Sequence, residues 1–306
     1  CVFRRADRVV ALSSEQKNCI LRTRNAVDEL VTVIPNWYRD EGGLRDREEN
    51  RFRELTAGRF VVSYFGNMGT MQDMDTILGA IRALREEKDV FFLFAGHGNK
   101  MEKLREIIAQ ESIENVRIFS FLHGQDFQDA LAVSDCALVS LEKGATGLCV
   151  PSKTYSYMME GIPLIAIMDD SDIVADIKGG AGVHLKNGEC QRLADLIRGM
   201  AADPEGCRAM SQKCRELYLR RYTPDICTAQ YVRLFRELLG KEDTAHRRKT
   251  PCRPNRLRRS RLPALCAAYD ALSNGFGRYP SISSSFSMMK ERVVSCPHAV
   301  SYFSIR

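Results

Sequence analysis

Lys153 stands at the predicted start of a helix, where a lysine is unusual. The surrounding sequence reads VPSKTYS (150–156) and follows an apolar run at 135–141. Proline favours the first helical turn, so we expect the helix to begin near Pro151. A cation there opposes the helix dipole, whereas an anion is stabilised by it. The Lys153 ammonium, the Ser152 hydroxyl and the first amides therefore predict a phosphate site; the alternative is an exposed lysine without a ligand.

Two glycine-containing turns are further candidates for anion binding. Gly66-Asn67-Met68-Gly69 follows the apolar run 59–65, and Gly96-His97-Gly98 follows the next one. Glycine lets backbone amides approach an anion, and the helix after each turn points its positive end to the same place. Tight turns that need positive φ angles explain the same glycines without a ligand, and both interpretations stay open. His97 is interpreted as a loop residue rather than a general base.

Apolar runs alternate with amphipathic segments along most of the chain. Strands are predicted at 7–12, 31–36, 59–65, 89–96, 115–121, 135–141, 162–168 and 181–185. Helices are predicted at 13–24, 41–55, 73–85, 101–110, 126–134, 190–202 and 204–220, with short ones after Pro151 and at 173–177. Continuously apolar strands are typical of a parallel sheet buried on both faces. The fold class is therefore α/β, a doubly wound, Rossmann-like parallel sheet over residues 38–225.

In such a sheet, ligands bind outside the carboxyl ends of the strands. This rule selects four loops, which are 66–70, 96–99, 120–125 and 143–155. It brings Lys153 and both glycine turns to one edge of the sheet.

Metal-dependent and hydrolytic chemistry finds no support in the motifs. Asp170-Ser171-Asp172 has the form of a metal-binding DxD but is interpreted as a loop whose last aspartate caps the helix at 173–177. The eleven cysteines form no CxxC pair, which favours reduced thiols in the cytosol. HExxH, Gly-x-Ser-x-Gly and a GxGxxG after the first strand are absent, which disfavours metalloproteases, serine hydrolases and Rossmann dehydrogenases. No metal and no cofactor are expected.

The formal net charge of +6 is unevenly distributed. Residues 246–306 hold twelve Lys and Arg against two Asp and Glu, so the rest of the chain is acidic. The basic run 246–261 could bind nucleic acid or anionic lipid. The favoured interpretation is a solvated, disordered and dispensable extension. No apolar run is long enough to span a membrane, and a chain that does not begin with Met is interpreted as a fragment.

Together these motifs resemble the nucleotide-sugar-binding half of a GT-B glycosyltransferase of family 4. The matching segments are ADRVVALSS with VIPNWYRD, YFGNMGTMQDMDTILGAI, FLFAGHG, NVRIFSFLHGQDFQDALAVSDCALVSL, VPSKTYSYMMEGIPLIA and YTPDICTAQYVRLFRELL. The Val-Pro-Ser-Lys motif is similar to bacterial members that build surface polysaccharides from UDP-linked amino sugars. The family's usual pair of glutamates is absent, because Leu148 and Ser156 occupy those positions.

The resemblance implies a retaining transfer of a hexosyl or N-acetylhexosaminyl group from a nucleotide-diphosphate donor, a UDP-sugar, to a glycan or polyprenyl-linked acceptor. It implies a cytoplasmic protein that contacts the inner face of the membrane peripherally and has no nucleic-acid partner. Lys153 is assigned the catalytic role. The implied donor-binding residues are Gly66, Asn67, Met68, Gly69, Gly96, His97, Gly98, Phe121, Pro151, Ser152, Lys153, Thr154, Tyr155 and Ser156.

The resemblance also divides the chain into four segments. Residues 1–37 are expected to be a remnant of the acceptor domain and its linker, and 38–225 the nucleotide-sugar-binding domain. Residues 226–240 are expected to form an interface helix, and 241–306 the basic tail. The alternative function is a truncated module that binds a nucleotide sugar without catalysis.

Overall fold

The computed structural model describes residues 6–39, 49–246 and 303–305. The strands are β1 (Arg8–Ala11), β2 (Val31–Val33), β3 (Phe60–Asn67), β4 (Val90–His97), β5 (Val116–Phe119), β6 (Cys136–Ser140), β7 (Leu164–Ile167), β8 (Gly182–Leu185) and β9 (Phe303–Ile305). The helices are α1 (Ser14–Arg24), α2 (Arg53–Thr56), α3 (Met74–Ala83), α4 (Asn99–Gln110), α5 (Gly124–Ala132), α6 (Lys153–Met159), α7 (Asp172–Ile177), α8 (Cys190–Ala202), α9 (Pro204–Arg221) and α10 (Pro224–His246). Most of the helix predicted at 41–55 lies outside the described residues.

The main sheet has six parallel strands in the order β5-β4-β3-β6-β7-β8. Strands added after β3 extend the sheet in one direction, and strands from β6 onward extend it in the other. This arrangement confirms the predicted doubly wound α/β fold, including the short strand predicted at 181–185.

Each face of the sheet carries its own hydrophobic core, because successive side chains of a strand point to opposite faces. Val61 and Phe65 of β3 belong to a core with residues of α6 and α9. Val62 and Tyr64 belong to the opposite core, with residues of α3 and α8. Burying one such side chain is worth about 1.5–3 kcal/mol, so the two cores hold the strand ends in fixed positions.

Residues 6–39 form a smaller unit beside the main sheet. β1 and β2 pair in parallel, and α1 packs on them through Ile20, which shares a core with Val9. Leu234 of α10 packs against Val10 and Ile34 of this unit. The long α10 therefore contacts the unit formed by residues 6–39.

Two described pieces of the tail depart from the disordered extension expected at 241–306. Residues 241–246 continue α10, and β9 pairs antiparallel with the edge of β1, with Val9 opposite Ser304. An unpaired strand edge offers backbone donors and acceptors to any extended segment, and this explains why a short strand pairs here. Residues 247–302 lie outside the described residues.

Truncation after His246 is expected to lower the melting temperature by no more than about 4 °C. The described contact that it removes is a three-residue ladder, and about 1 kcal/mol corresponds to about 2–4 °C in a protein of this size. Differential scanning calorimetry of the full and truncated chains measures the change. A substantially larger drop would show that the removed segment packs on the folded part.

Candidate functional site

The crevice between the carboxyl ends of β3 and β6 is the place where the sheet reverses its winding. The chain leaves β3 into α3 on one face and leaves β6 toward α6 on the other, as their different cores show. Loops that separate in this way leave an opening above the sheet, where ligands of doubly wound proteins bind. Lys153, the first residue of α6, lies at this reversal.

The glycines of the two predicted turns allow the ends of β3 and β4 to approach each other. Gly66 and Gly96 are paired in the ladder and both have positive φ angles, 128° and 153°. A Cβ atom on Gly96 would lie 1.9 Å from the carbonyl oxygen of Gly66. A Cβ atom on Gly98 would lie 2.5 Å from the backbone of Met68. Close backbone packing thus explains these glycines.

Two amides of the first turn are hydrogen-bonded within the protein. The amide of Met68 donates to the carbonyl of His97 at 2.7 Å, and the amide of Gly69 donates to the side chain of Gln72 at 3.0 Å. The Asp73 carboxylate caps α3 by accepting from the Thr76 amide at 2.9 Å. These two amides are used within the protein, and anion binding at this turn stays a prediction.

Lys153 lies at the predicted place, but its side chain points inward. The Nζ atom is shielded from solvent, lies 3.4 Å from the centroid of the Tyr64 ring and has no hydrogen-bond partner among the described residues. Gly66, near the end of β3, is also close to this side chain, because a Cβ atom on Gly66 would lie 3.4 Å from Lys153 Cε. Burial lowers the pKa of the Lys153 amine well below its usual range. The lysine predicted to bind phosphate therefore has a buried amine next to the crevice, and the alternative of an exposed lysine does not describe it.

Unpartnered polar atoms concentrate in the segment from β6 to α6. Among the described residues, buried side-chain atoms without a hydrogen-bond partner include Lys153 Nζ and the hydroxyls of Ser140, Thr146 and Thr154. Buried polar groups are nearly always hydrogen-bonded, so each exception calls for an explanation. A polar ligand bound beside this segment would provide one.

Other predicted residues of α6 are structural. Tyr155 is buried and its ring packs 5.1 Å from that of Tyr222 at the end of α9. Ser156 is buried and donates to the Lys153 carbonyl at 2.8 Å. Of the predicted motif, Ser152 is exposed and makes no capping bond, and Pro151 is partly exposed. The side chains of Tyr155 and Ser156 are thus buried within the protein, and their placement in the donor site stays a prediction.

An aromatic cluster lies beyond the ends of β4 and β5. The Phe121 side chain is 47% exposed, and its ring centroid lies 5.6 Å from that of His97 and 4.6 Å from that of His123. An exposed flat ring at this edge can stack on another planar group.

Lys100 and Glu142 are the functional candidates that the sequence interpretation missed. Lys100 Nζ pairs with the Glu142 carboxylate and donates to the Gln72 carbonyl at 2.7 Å. The Glu142 amide donates to the carbonyl of Met71 at 2.8 Å. These bonds tie together the loops that follow β3, β4 and β6. The sequence signal that could have identified Lys100 is its position in the first turn of α4, which corresponds to that of Lys153 in α6.

The two aspartates of the DxD sequence have partners within the protein. Asp170 pairs with Lys178 at 3.1 Å, which lowers the pKa of its carboxyl group. Asp172 accepts from the amide of Ser14 at 2.7 Å, and the cap of α7 is Ser171 rather than the predicted Asp172. Within the described ranges, no group of three or more His, Cys, Asp or Glu is arranged to hold a metal.

Comparison with known proteins gives consistent results. A family model described as Glycosyl transferases group 1 matches residues 46–217. The chain is 30% identical over 185 residues to Probable glycosyltransferase WbjE of Pseudomonas aeruginosa, covering 60% of this chain and 46% of WbjE. It is 24% identical over 160 residues to WcaI of Escherichia coli K12, whose name describes a glycosyl transferase of colanic acid biosynthesis, covering 51% and 39%. The chain spans less than half the length of these two curated relatives.

Solved structures share the fold. Anabaena HepE in complex with UDP-glucose aligns with a TM-score of 0.65 at 18% identity, over 76% of this chain and 64% of HepE. A glycosyltransferase from Rickettsia africae ESF-5 aligns with a TM-score of 0.63 at 16% identity, over 76% and 64%. The fold is therefore that of GT-B glycosyltransferases. No helix in the described part of the chain is long and apolar enough to cross a membrane.

Proposed function

Because the chain belongs to the glycosyl transferases group 1 family, we propose that it supplies the donor site of a retaining glycosyltransferase in surface-polysaccharide synthesis. The donor is a UDP-sugar that carries a hexose or an N-acetylhexosamine. The acceptor is a glycan or a polyprenyl-linked sugar. In this proposal the protein acts in the cytoplasm, and the basic run 246–261, nearly all of it outside the described residues, contacts the membrane peripherally.

The buried amine of Lys153 is the observation that carries this proposal. It is a potential cation without a hydrogen-bond partner among the described residues, at the point where the sheet reverses, in a segment that also holds three buried hydroxyls without such partners. A diphosphate offers several strong acceptor oxygens and the negative charge that such an amine lacks. The same segment thus has both the charge and the hydrogen-bonding capacity that a diphosphate needs.

Transfer requires that the nucleotide diphosphate depart with its charge. Positive groups fixed where negative charge develops lower the barrier to such a step. In the proposed role, Lys153 and the exposed Ser152 that precedes α6 stabilise the negative charge on the leaving diphosphate. The acceptor then attacks from the face that the diphosphate leaves, so that the anomeric configuration is retained.

The exposed cluster of Phe121, His97 and His123 is proposed to stack on the base. It lies at the same edge of the sheet, beyond β4 and β5. Two solved structures support a uridine nucleotide, since HepE was solved in complex with UDP-glucose and a Staphylococcus aureus TarM mutant with UDP and alpha-GlcNAc-glycerol.

A thermal-shift panel of UDP-sugars and GDP-sugars tests the donor site. We expect UDP and UDP-sugars to raise the melting temperature, and uridine to have a much smaller effect because it lacks the charge that Lys153 requires. The absence of stabilisation by every nucleoside diphosphate would contradict the proposed function.

Nucleotide binding is expected to be independent of divalent metal. The described carboxylates at this edge have protein partners, and Mg²⁺ prefers sites with free carboxylates or substrate phosphates. UDP affinity, measured by calorimetry with magnesium and then with a chelator, should change by less than about twofold. A tenfold loss in chelator would make Asp170 and Asp172 candidate ligands again.

A second candidate function is nucleotide-sugar binding without catalysis. The observation that favours it is that the chain spans less than half the length of the relatives WbjE and WcaI. Measuring hydrolysis of a UDP-sugar and transfer to a glycan by this chain separates the candidates. Binding without turnover favours the module, whereas turnover favours the enzyme.

A further inference from the structure

The surroundings of the Lys153 amine are those of an uncharged group. Nζ is shielded from solvent and is not hydrogen-bonded to any described residue, and its contact is the face of the Tyr64 ring. A buried ammonium without a counter-ion or acceptors loses its hydration without compensation. A cation over an aromatic face recovers only a small part of that loss. In the free protein, the amine is therefore expected to be neutral.

The groups that face the amine do not supply the missing charge. Tyr64 on β3 donates its hydroxyl to the Asn67 carbonyl at 3.0 Å, and burial raises its pKa. The hydroxyl of Tyr157 on α6 accepts from the Phe65 amide of β3 at 2.6 Å, and burial raises its pKa too. Cys149, in the loop before α6, is the group that favours the charged amine, but burial raises the pKa of its thiol.

The charged side chains of the neighbouring loops are engaged elsewhere. Asp73, in the loop after β3, accepts from Thr76 and from Asn187. Glu142, in the loop after β6, pairs with Lys100. At the end of β4, the ring of His97 lies against Phe121. The counter-ion for Lys153 therefore has to arrive with a ligand.

We propose that Tyr64 is a positioning residue that holds Lys153 as a neutral amine in the free protein, and that this amine takes up one proton when a nucleoside diphosphate binds. The inference rests on the proposed donor site and adds that binding and protonation are a single linked event. The proton comes from solvent and remains on Nζ, so that the bound state pairs an ammonium with the diphosphate.

The direction of the pH dependence follows from this linkage. In the free protein, burial lowers the pKa of the Lys153 amine. In the complex, the charges of the phosphates raise this pKa. Between these two pKa values the complex holds one proton more than the separate partners, so affinity falls as pH rises. Between these two pKa values, the affinity for the diphosphate falls by up to about tenfold per pH unit.

Calorimetric titration with UDP in buffers of different ionisation enthalpy counts the protons. From about pH 7 upward the terminal phosphate is ionised and does not add to the count. We expect uptake of between about half and one proton per UDP, and none with uridine. Lys153→Met should abolish the uptake. Lys143→Met, which changes an exposed lysine of the same loop, should leave it unchanged.

Two substitutions at Tyr64 test its positioning role. Tyr64→Phe keeps the ring and should keep the proton uptake, whereas Tyr64→Leu removes the ring face and should reduce the uptake and flatten the pH profile of UDP affinity. UDP binding by the parent protein with no proton uptake would overturn this inference and leave the donor site standing. Failure of every nucleoside diphosphate to bind would overturn the proposed function together with this inference.

Discussion

Gly96→Ala is expected to destabilise the protein by about 3–5 kcal/mol and to abolish ligand binding at the crevice. The added Cβ would lie 1.9 Å from the Gly66 carbonyl oxygen, and the φ angle of 153° is one that alanine rarely adopts. Forced overpacking costs about 1–3 kcal/mol, and an unfavourable backbone conformation adds about 1–3 kcal/mol. Because the obstructing atom belongs to the backbone of β3, the ends of the two strands have to separate. Urea denaturation measures the loss.

Gly58→Ala is the matched control. Gly58 also has a positive φ angle, 71°, but a Cβ atom there meets nothing within 4 Å. Gly58→Ala should lower the free energy of unfolding by about 1–2 kcal/mol, which is the cost of the unfavourable backbone conformation alone. Equal losses for the two variants would mean that the ends of β3 and β4 separate easily, and that close packing does not explain Gly96.

Lys153→Met is expected to weaken UDP binding by about ten- to a hundredfold while leaving the fold intact. A charge-assisted contact to phosphate is worth about 1.5–3 kcal/mol, which is the source of this estimate. Methionine keeps the length and flexibility of the buried stem and removes an amine that is not hydrogen-bonded to any residue the structure describes. The unfolding free energy of the free protein should therefore be unchanged or slightly higher. Calorimetry with UDP and denaturation without ligand measure the two effects.

The nature of the ligand provides the control for this prediction. Uridine lacks the phosphate charge, so its affinity should be nearly equal for the parent and Lys153→Met. Lys153→Arg should restore UDP binding only in part, because a planar guanidinium does not reproduce a compact ammonium over the Tyr64 ring. If UDP binds the parent and Lys153→Met equally well, Lys153 makes no contact with phosphate and its proposed role is wrong.

The sequence determined the elements of the sheet and the edge at which the site lies. Strands such as residues 89–96 are continuously apolar because helices cover both faces of the sheet. Such a run can be recognised from the local sequence. The rule that ligands bind at the carboxyl ends then selected the loops that contain Lys153 and Phe121. Both residues do lie at that edge.

What the tertiary structure decided was the direction of the side chains and the partners they meet. A motif gives the order of Lys153, Tyr155 and Ser156, but the packing of α6 between the sheet and α9 turns the latter two into buried structural residues. Tyr64 lies within an ordinary apolar strand, so nothing local marks it as the surface on which a lysine rests. Contacts between residues far apart in the chain depend on how the two cores close around the sheet, and a local pattern does not encode that geometry. The sequence alone therefore selected the edge of the sheet at which Lys153 lies, while the fold determined that its amine is buried and has no hydrogen-bond partner in the described part of the chain.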